Sequence, residues 1–171
     1  WVGDGLLYGG RDASELPTRT GEGIAETGSM RLSHLGSTVT LAHACANPVV
    51  IATVNTVAGN QEVSALISEL AANGFFLALQ EPDYLDGTHA VETVSYMVVE
   101  AGNWTLADGS VLRAGLTDVA DLTTAGFSSV AFDASFAGDP SVLAQVQTVN
   151  DADFVKVRIA GRGAGGFDLA L

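Results

Sequence analysis

The sequence predicts an all-β protein built from two antiparallel β-sandwich modules in tandem. The first observation is an internal repeat, because a shift of 92 residues places Pro48–Leu79 without a gap on Pro140–Leu171, with fourteen identities in 32 positions. The second is a series of short runs of alternating apolar and polar residues bounded by Gly, Asn, Asp or Pro. A fixed repeat defines the folding unit, and regularly spaced short strands are typical of sandwiches and barrels.

Four segments follow from the repeat. Residues 1–27 are polar and Gly-rich, which predicts a linker or packed arm, and residues 28–102 form the first module. Residues 103–126 form a connector with its own hairpin signal, TLADGSVL, turning at Asp108 and Gly109. Residues 127–171 form a second module that is incomplete within this chain. We expect its completion from outside residues 28–171, by further chain, by the arm folding back, or by a strand from a neighbouring copy.

The strands are predicted in chain order from Val-, Thr- and aromatic-rich runs. One stretch, EVSALISELAANG, also fits a helix, but its repeat partner FVKVRIAGRGAGG contains too many glycines for one, so both are predicted as strands. The Gly161–Gly166 run is accordingly read as a turn between strands, not a phosphate-binding loop. The predicted strands are STVTLAHA, VVIATVNTV, EVSALIS, GFFLALQE, VETVSYMVVE, SVAFDASF, SVLAQVQTV and FVKVRIA.

Alternation predicts which side chains form the two cores, because residues two apart share a face of a strand. The first core is expected to contain Val54, Phe75, Leu77 and Leu79; the second, their repeat partners Val146, Phe167, Leu169 and Leu171. The sole cysteine, Cys45, aligns with Phe136 when one inserted residue is allowed. This pairing predicts a core position for an inert thiol.

Composition excludes several functions. Twenty acidic residues stand against seven basic ones, a net charge of −13, which disfavours nucleic acid and anionic membranes as partners. No run approaches the roughly eighteen apolar residues of a membrane helix, and no signal peptide is visible. The chain starts at Trp1, so we expect a mature protein or a fragment of a longer one.

The loop EPDYLDGTHAVE concentrates the residues that could carry chemistry. Its carboxylates could hold a hard cation such as calcium or bind sugar hydroxyls while Tyr84 stacks on a ring. The structural alternative is a hairpin loop that His89 and Glu92 fix by a mutual hydrogen bond. Acid/base catalysis is the third alternative. Glycoside hydrolysis needs two carboxyl groups a set distance apart across the substrate, and proximity within one loop does not establish that distance.

Several of these runs together resemble the H-type lectin domain. They are SFAGDPSVLAQVQT, VKVRI and GGFDLAL in the second module, and ACANPVVIATVNT, VSALI, NGFFLAL and ETVSYMVVEAG in the first. The resemblance implies a six-stranded sandwich that oligomerises and binds galactose-type sugars without catalysis. It matches Arg158 to the family's strand arginine, where the first module has Leu66, and places Tyr96 where the family has tryptophan.

These observations predict a non-catalytic, extracellular or cell-surface module of a larger repeat protein, binding carbohydrate or acting in adhesion. The alternative is a purely structural block of a stalk or filament, completed by strand exchange, and a third is an accessory domain beside a catalytic one. Expected partners are a glycan or neighbouring copies in an oligomer or polymer, with no required cofactor. Asn103 begins an N-x-[ST] sequon and would be glycosylated in a secretory pathway. The candidate ligand-binding residues are Asp83, Tyr84, Asp86, His89, Glu92, Tyr96 and Arg158.

Overall fold

A computed structural model describes residues 24–119, 123–150 and 152–171. Within these residues the chain forms strands and turns and no helix, so the all-β prediction is confirmed. It follows that this part of the chain offers no helix capable of crossing a membrane. The strands are β1 (Ala25–Leu32), β2 (Ser37–Thr40), β3 (Pro48–Val54), β4 (Ser64–Ala71), β5 (Gly74–Gln80), β6 (Glu92–Glu100), β7 (Gly102–Thr105), β8 (Val111–Ala114), β9 (Ser128–Ala131), β10 (Arg158–Gly163) and β11 (Gly166–Ala170).

The chain divides into two compact units. The first unit consists of Ala25–Val99 and Gln145–Val155, and the second unit includes Glu100–Ala144 and Lys156–Leu171. The chain therefore passes from the first unit to the second, returns to the first for one segment, and enters the second again. Most of the predicted arm, residues 1–23, and residues 120–122 of the predicted connector lie outside the described residues.

The first unit contains two three-stranded antiparallel sheets, with strand orders β1-β6-β3 and β2-β5-β4. Side chains from both sheets contribute to one core, which makes the unit sandwich-like. The predicted residues Phe75, Leu77 and Leu79 are buried in this core, and Val54 packs against it. The other buried members are Leu32, Val39, Leu41, Val50, Ala65, Ile67, Val94 and Val98.

Strand β1 was not among the predicted strands, and it begins at Ala25, inside the predicted arm. It pairs with β6 along its whole length, from Ala25 opposite Val99 to Leu32 opposite Glu92. Its sequence AETGSMRL lacks the β-branched and aromatic residues of a typical strand, apart from one threonine. Packing accounts for the glycine at position 28, because a Cβ there would lie 2.2 Å from the hydroxyl oxygen of Tyr96.

The second unit contains a three-stranded antiparallel sheet of order β10-β11-β9 and the hairpin β7-β8. The hairpin confirms the predicted turn: Gly109 has a φ of 85°, and Asp108 Oδ1 accepts a hydrogen bond from the Ser110 amide at 2.9 Å. Phe167 and Leu169 are buried with Val130 and Phe132 in the core of this unit, as predicted for the first two. The placement of Val146 in this core was wrong, because Val146 belongs to the first unit.

The sheets β2-β5-β4 and β9-β11-β10 repeat each other pair for pair. Val39 lies opposite Phe75 as Val130 lies opposite Phe167, and Ile67 lies opposite Leu77 as Ile159 lies opposite Leu169. Both sheets carry a bulge at the same place, between Ser68 and Ala71 and between Ala160 and Gly163. The repeated sequence therefore specifies a repeated strand register.

Details of the turns are repeated as well. The left-handed residue in each bulge is Glu69 (φ 51°) or Gly161 (φ 53°). The amide of Cys45 donates to the Ala72 carbonyl at 2.7 Å, and that of Phe136 donates to the Ala164 carbonyl at 2.9 Å. Cys45 is partly buried and packs against the first core, as its alignment with Phe136 predicts.

One segment of the second copy does not adopt the structure of its counterpart in the first copy. The run SVLAQVQTV was predicted to be a strand, because it aligns with β3, but it does not form one. In the first module, β3 pairs with β6. From Gln145 onward the corresponding chain lies in the first unit, where glutamine side chains, and not a ladder of backbone bonds, hold it.

Candidate functional site

Three loops meet at one end of the first unit. They connect β1 to β2, β3 to β4, and β5 to β6, and the strand register places them together. Leu32, the last residue of β1, lies opposite Glu92, the first of β6, and Ser64 at the start of β4 lies opposite Gln80 at the end of β5. The Asn55 amide, just after β3, donates to the Thr93 carbonyl at 2.8 Å. This end of the unit contains most of the predicted ligand-binding residues.

A buried carboxylate–imidazole–carboxylate cluster joins the three loops. His89 Nδ1 lies 2.8 Å from Glu81 Oε1, and His89 Nε2 lies 3.3 Å from Glu92 Oε1. None of the three side chains is more than 1% exposed. The His89–Glu92 contact is the one that the structural reading of the loop expects, whereas Glu81 was not expected as a third member.

Glu92 is the most heavily hydrogen-bonded member of the cluster. It accepts from the Thr56 hydroxyl at 2.5 Å and from the backbone amides of Ala58 and Gly59 at 2.7 and 3.0 Å. The Thr56 hydroxyl and the Gly59 amide, together with Ala58 and His89, lower the pKa of Glu92 from 4.5 to about 2 against the opposing effect of burial. Glu92 is therefore a carboxylate at neutral pH.

His89 also contacts the β1–β2 and β3–β4 loops. The His89 backbone carbonyl lies 3.3 Å from His34 Nδ1 in the β1–β2 loop. Gly59 of the β3–β4 loop lies against the imidazole, since a Cβ there would come within 2.9 Å of His89 Cε1. Chemically, the arrangement joins an imidazole to two carboxylates by short polar contacts that are shielded from solvent. These contacts tie the loops to one another.

The exposed part of the β5–β6 loop contains Asp83, Tyr84 and Asp86. Tyr84 is 76% exposed. Asp86 Oδ1 accepts a hydrogen bond from the Thr88 amide at 3.0 Å, which closes a turn within the loop. Asp83 Oδ1 accepts one from the Phe154 amide at 3.0 Å, so this carboxylate holds a distant segment of the chain.

The last two predicted ligand-binding residues lie elsewhere. The Tyr96 ring on β6 packs edge-to-face on Phe75, with ring centroids 5.4 Å apart, and burial followed by the charge of Glu26 raises its pKa. Arg158 is exposed on β10 in the second unit, and its Nη1 donates to the neighbouring Val157 carbonyl at 3.3 Å. The structure thus brings His89 and Glu92 into direct contact and places Arg158 in a different unit.

The sequon residue Asn103 lies in β7. Its Oδ1 accepts a hydrogen bond from Arg113 Nη1 at 3.2 Å, and its Nδ2 is buried. A glycan would need access to Nδ2, so attachment to the folded hairpin would require β7 to open. Separately, no three His, Cys, Asp or Glu side chains in the described part of the chain are arranged to hold a metal ion.

A second feature of the first unit, which the sequence did not reveal, is the segment Gln145–Val155. Gln145 Nε2 donates to the Ala65 carbonyl of β4 at 3.2 Å, and Gln147 Oε1 accepts from the Val50 amide of β3. Strands β3 and β4 are the edges of the two sheets, so one segment bridges both edges. Further along the same segment, the Ala152 carbonyl accepts a hydrogen bond from Gln80 Nε2 at 3.1 Å.

A sequence signal for this segment exists in hindsight. Gln145 and Gln147 replace Thr53 and Asn55 of the first module, two residues apart and therefore on one side of an extended chain. Two long amide side chains on one side can each supply a donor and an acceptor to an exposed backbone edge.

These features define an all-β repeat protein whose sandwich-like unit is closed by a segment from the following module. No known family profile and no solved structure matches the chain. The chain is similar to halomucin from Haloquadratum walsbyi, with 33% identity over an alignment of 139 positions that covers 77% of this chain. It spans only 2% of the length of that relative.

Proposed function

We propose that the chain is a non-catalytic structural module of an extracellular surface protein, in which successive repeats are linked by exchange of short segments. The observation that carries the proposal is the assignment of Gln145–Val155 to the first unit, although its sequence belongs to the second copy of the repeat. A module that borrows chain from its successor is stabilised by being part of an array.

Similarity to a segment of halomucin, whose name denotes a mucin, supports the extracellular part of the proposal. The charge of −13 also suits a surface protein, because a net charge far from zero keeps a protein soluble. Burial of His89, Glu81 and Glu92 supports a structural role over a catalytic one.

Substitution of Gln147 tests the borrowed segment. Gln147→Ala leaves the amide of Val50, a fully buried residue, without its acceptor and should destabilise the first unit by about 1–2 kcal/mol. Gln61→Ala, which removes an exposed glutamine from the β3–β4 loop, is the matched control and should change nothing. Equal stability of the two variants in denaturant unfolding would refute the proposed exchange.

Carbohydrate binding at the β5–β6 loop is the second candidate function. It is favoured by Tyr84, an aromatic ring that is 76% exposed on a loop anchored by a buried cluster, and by the H-type lectin resemblance. Aromatic faces commonly stack on sugar rings. A glycan array with the native chain and Tyr84→Ala separates the candidates: binding lost in the variant supports a lectin, and no binding by the native chain leaves the structural role.

A further inference from the structure

Strand β10 lies at one edge of its sheet. In the sheet β10-β11-β9, β10 is a terminal strand, and no strand in the described residues pairs with its other side. Its residues Arg158 to Arg162 are all exposed. An exposed strand edge presents backbone donors and acceptors that another chain can satisfy.

The equivalent edge in the first unit is occupied. There the equivalent strand is β4, and Gln145 bonds to its Ala65 carbonyl. The corresponding side chains also differ in exposure, since Ile67 on β4 is fully buried in the first core whereas Ile159, its partner in the repeat, is 37% exposed. The strand register, the bulge and the left-handed residue are the same in both sheets, so β10 and β4 have the same backbone geometry. Among the described residues, however, no segment bonds to the outer edge of β10 as Gln145–Val155 bonds to β4.

Charge indicates what fits this edge. Three of the seven basic residues of the chain, Lys156, Arg158 and Arg162, fall within seven positions at β10, whereas their counterparts on β4 are uncharged. The segment Gln145–Val155 contains two aspartates and no basic residue. A basic edge in a chain of net charge −13 is complementary to acidic segments of the chain's own kind.

We propose that the edge of β10 is a docking site for an acidic, glutamine-bearing segment from a further repeat of the same kind, equivalent to Gln145–Val155. The inference rests on the proposed function and extends it, because it identifies the surface by which one module receives the next. Glutamine side chains would bond the backbone of β10, and Arg158 and Arg162 would attract the aspartates.

A synthetic peptide of residues 145–155 added to the isotopically labelled native chain tests this site. We expect slower amide exchange in Arg158–Gly163 and no change in Ser64–Ala71, where the chain's own segment already lies. Arg158→Glu with Arg162→Glu should weaken binding about tenfold or more, since two exposed ion pairs are reversed. Arg31→Glu, at an exposed arginine of β1, is the control for the change in charge and should bind the peptide normally.

A lengthened chain supplies the same segment without a separate peptide. Adding residues 80–171 after Leu171 continues the repeat in register, because Leu171 aligns with Leu79. We expect Ile159 to become buried and β10 to become protected, less so when the added copies of Gln145 and Gln147 are alanine. Unchanged β10 exchange in the lengthened chain and with saturating peptide would overturn the inference. The Gln147→Ala result in the native chain would then still decide the proposed function separately.

Discussion

At the scale of single residues, Glu92 couples the stability of the first unit to pH. Its pKa is about 2 in the folded protein and 4.5 ordinarily, so the folded state holds this proton more weakly than the unfolded state. The stabilisation is complete above about pH 5 and is lost as pH falls through 4.5 toward 2. We expect the melting temperature of the first unit to fall over this range.

Glu92→Gln isolates this contribution from that of the other acids. The variant keeps the shape of the side chain but loses the charge that Thr56, Ala58 and Gly59 solvate. It should therefore melt several degrees lower at neutral pH and show a shallower dependence on pH between 5 and 2. Parallel pH profiles for the variant and the native chain would contradict the assignment.

Glu69 and Gly161 show that the repeat tolerates a costly residue in one copy. Both adopt the left-handed conformation, which is unfavourable for a residue with a Cβ by about 1–2 kcal/mol. Glu69→Gly should therefore stabilise the first unit by up to about 1 kcal/mol, after the greater flexibility of glycine in the unfolded chain is subtracted. Denaturant unfolding checks this gain, and a less stable variant would contradict it.

The reverse change at Gly161 should be destabilising for two reasons. Besides the backbone strain, a Cβ at Gly161 would lie 2.1 Å from an oxygen of Asp168. Gly87→Ala has similar strain (φ 71°) but no neighbour within 4 Å, and it serves as the control. Denaturant unfolding should show a larger loss for Gly161→Ala than for Gly87→Ala, and equal losses would exclude a role for the contact.

At the scale of elements, the sequence predicted the strands that are repeated and missed those that depend on context. β4 was distinguished from a helix because its repeat partner is rich in glycine. β1 was missed because its stability comes from pairing with β6, not from its own composition. The run SVLAQVQTV has a strand pattern, but its place is decided by bonds to β3 and β4, about 80 to 97 residues earlier in the chain.

In the candidate site, too, the sequence predicted the local contact and missed the one that depends on the folded loop. The His89–Glu92 contact was predictable because the two residues are only three positions apart along the chain. Glu81 precedes His89 by eight residues across a loop, and only the folded loop shows that its carboxylate reaches Nδ1. Arg158 was linked to the other residues by family resemblance alone, whereas the repeat already placed it in the second module, apart from them.

The repeated core positions lead to a prediction for each unit. Phe75 and Phe167 are aligned in the repeat and are 1% and 3% exposed. Replacing either by Ala should cost about 3–5 kcal/mol through loss of contacts and the cavity that remains. Hydrogen exchange should place the loss of protection mainly in β2, β4 and β5 for Phe75→Ala and in β9, β10 and β11 for Phe167→Ala. Uniform loss in both variants would contradict two separate cores.

At the scale of the whole molecule, the net charge of −13 predicts that salt stabilises the fold. Repulsion among exposed acids opposes the compact state, and it is screened as the Debye length falls from about 10 Å at 0.1 M salt to about 3 Å at 1 M. The melting temperature should rise by several degrees over this range in both NaCl and KCl. A constant or falling melting temperature would show that repulsion is unimportant.

The return of the chain into the first unit also sets an order of events during synthesis. Residues 25–99 emerge from the ribosome together, but the unit they form includes Gln145–Val155, which are made more than forty residues later. At about 5–20 residues per second, roughly two to eleven seconds pass before the closing segment is available. Until then the edges of β3 and β4 lack their bonds to Gln147 and Gln145, so we expect the first unit to reach its full stability only after this part of the second copy has been synthesised.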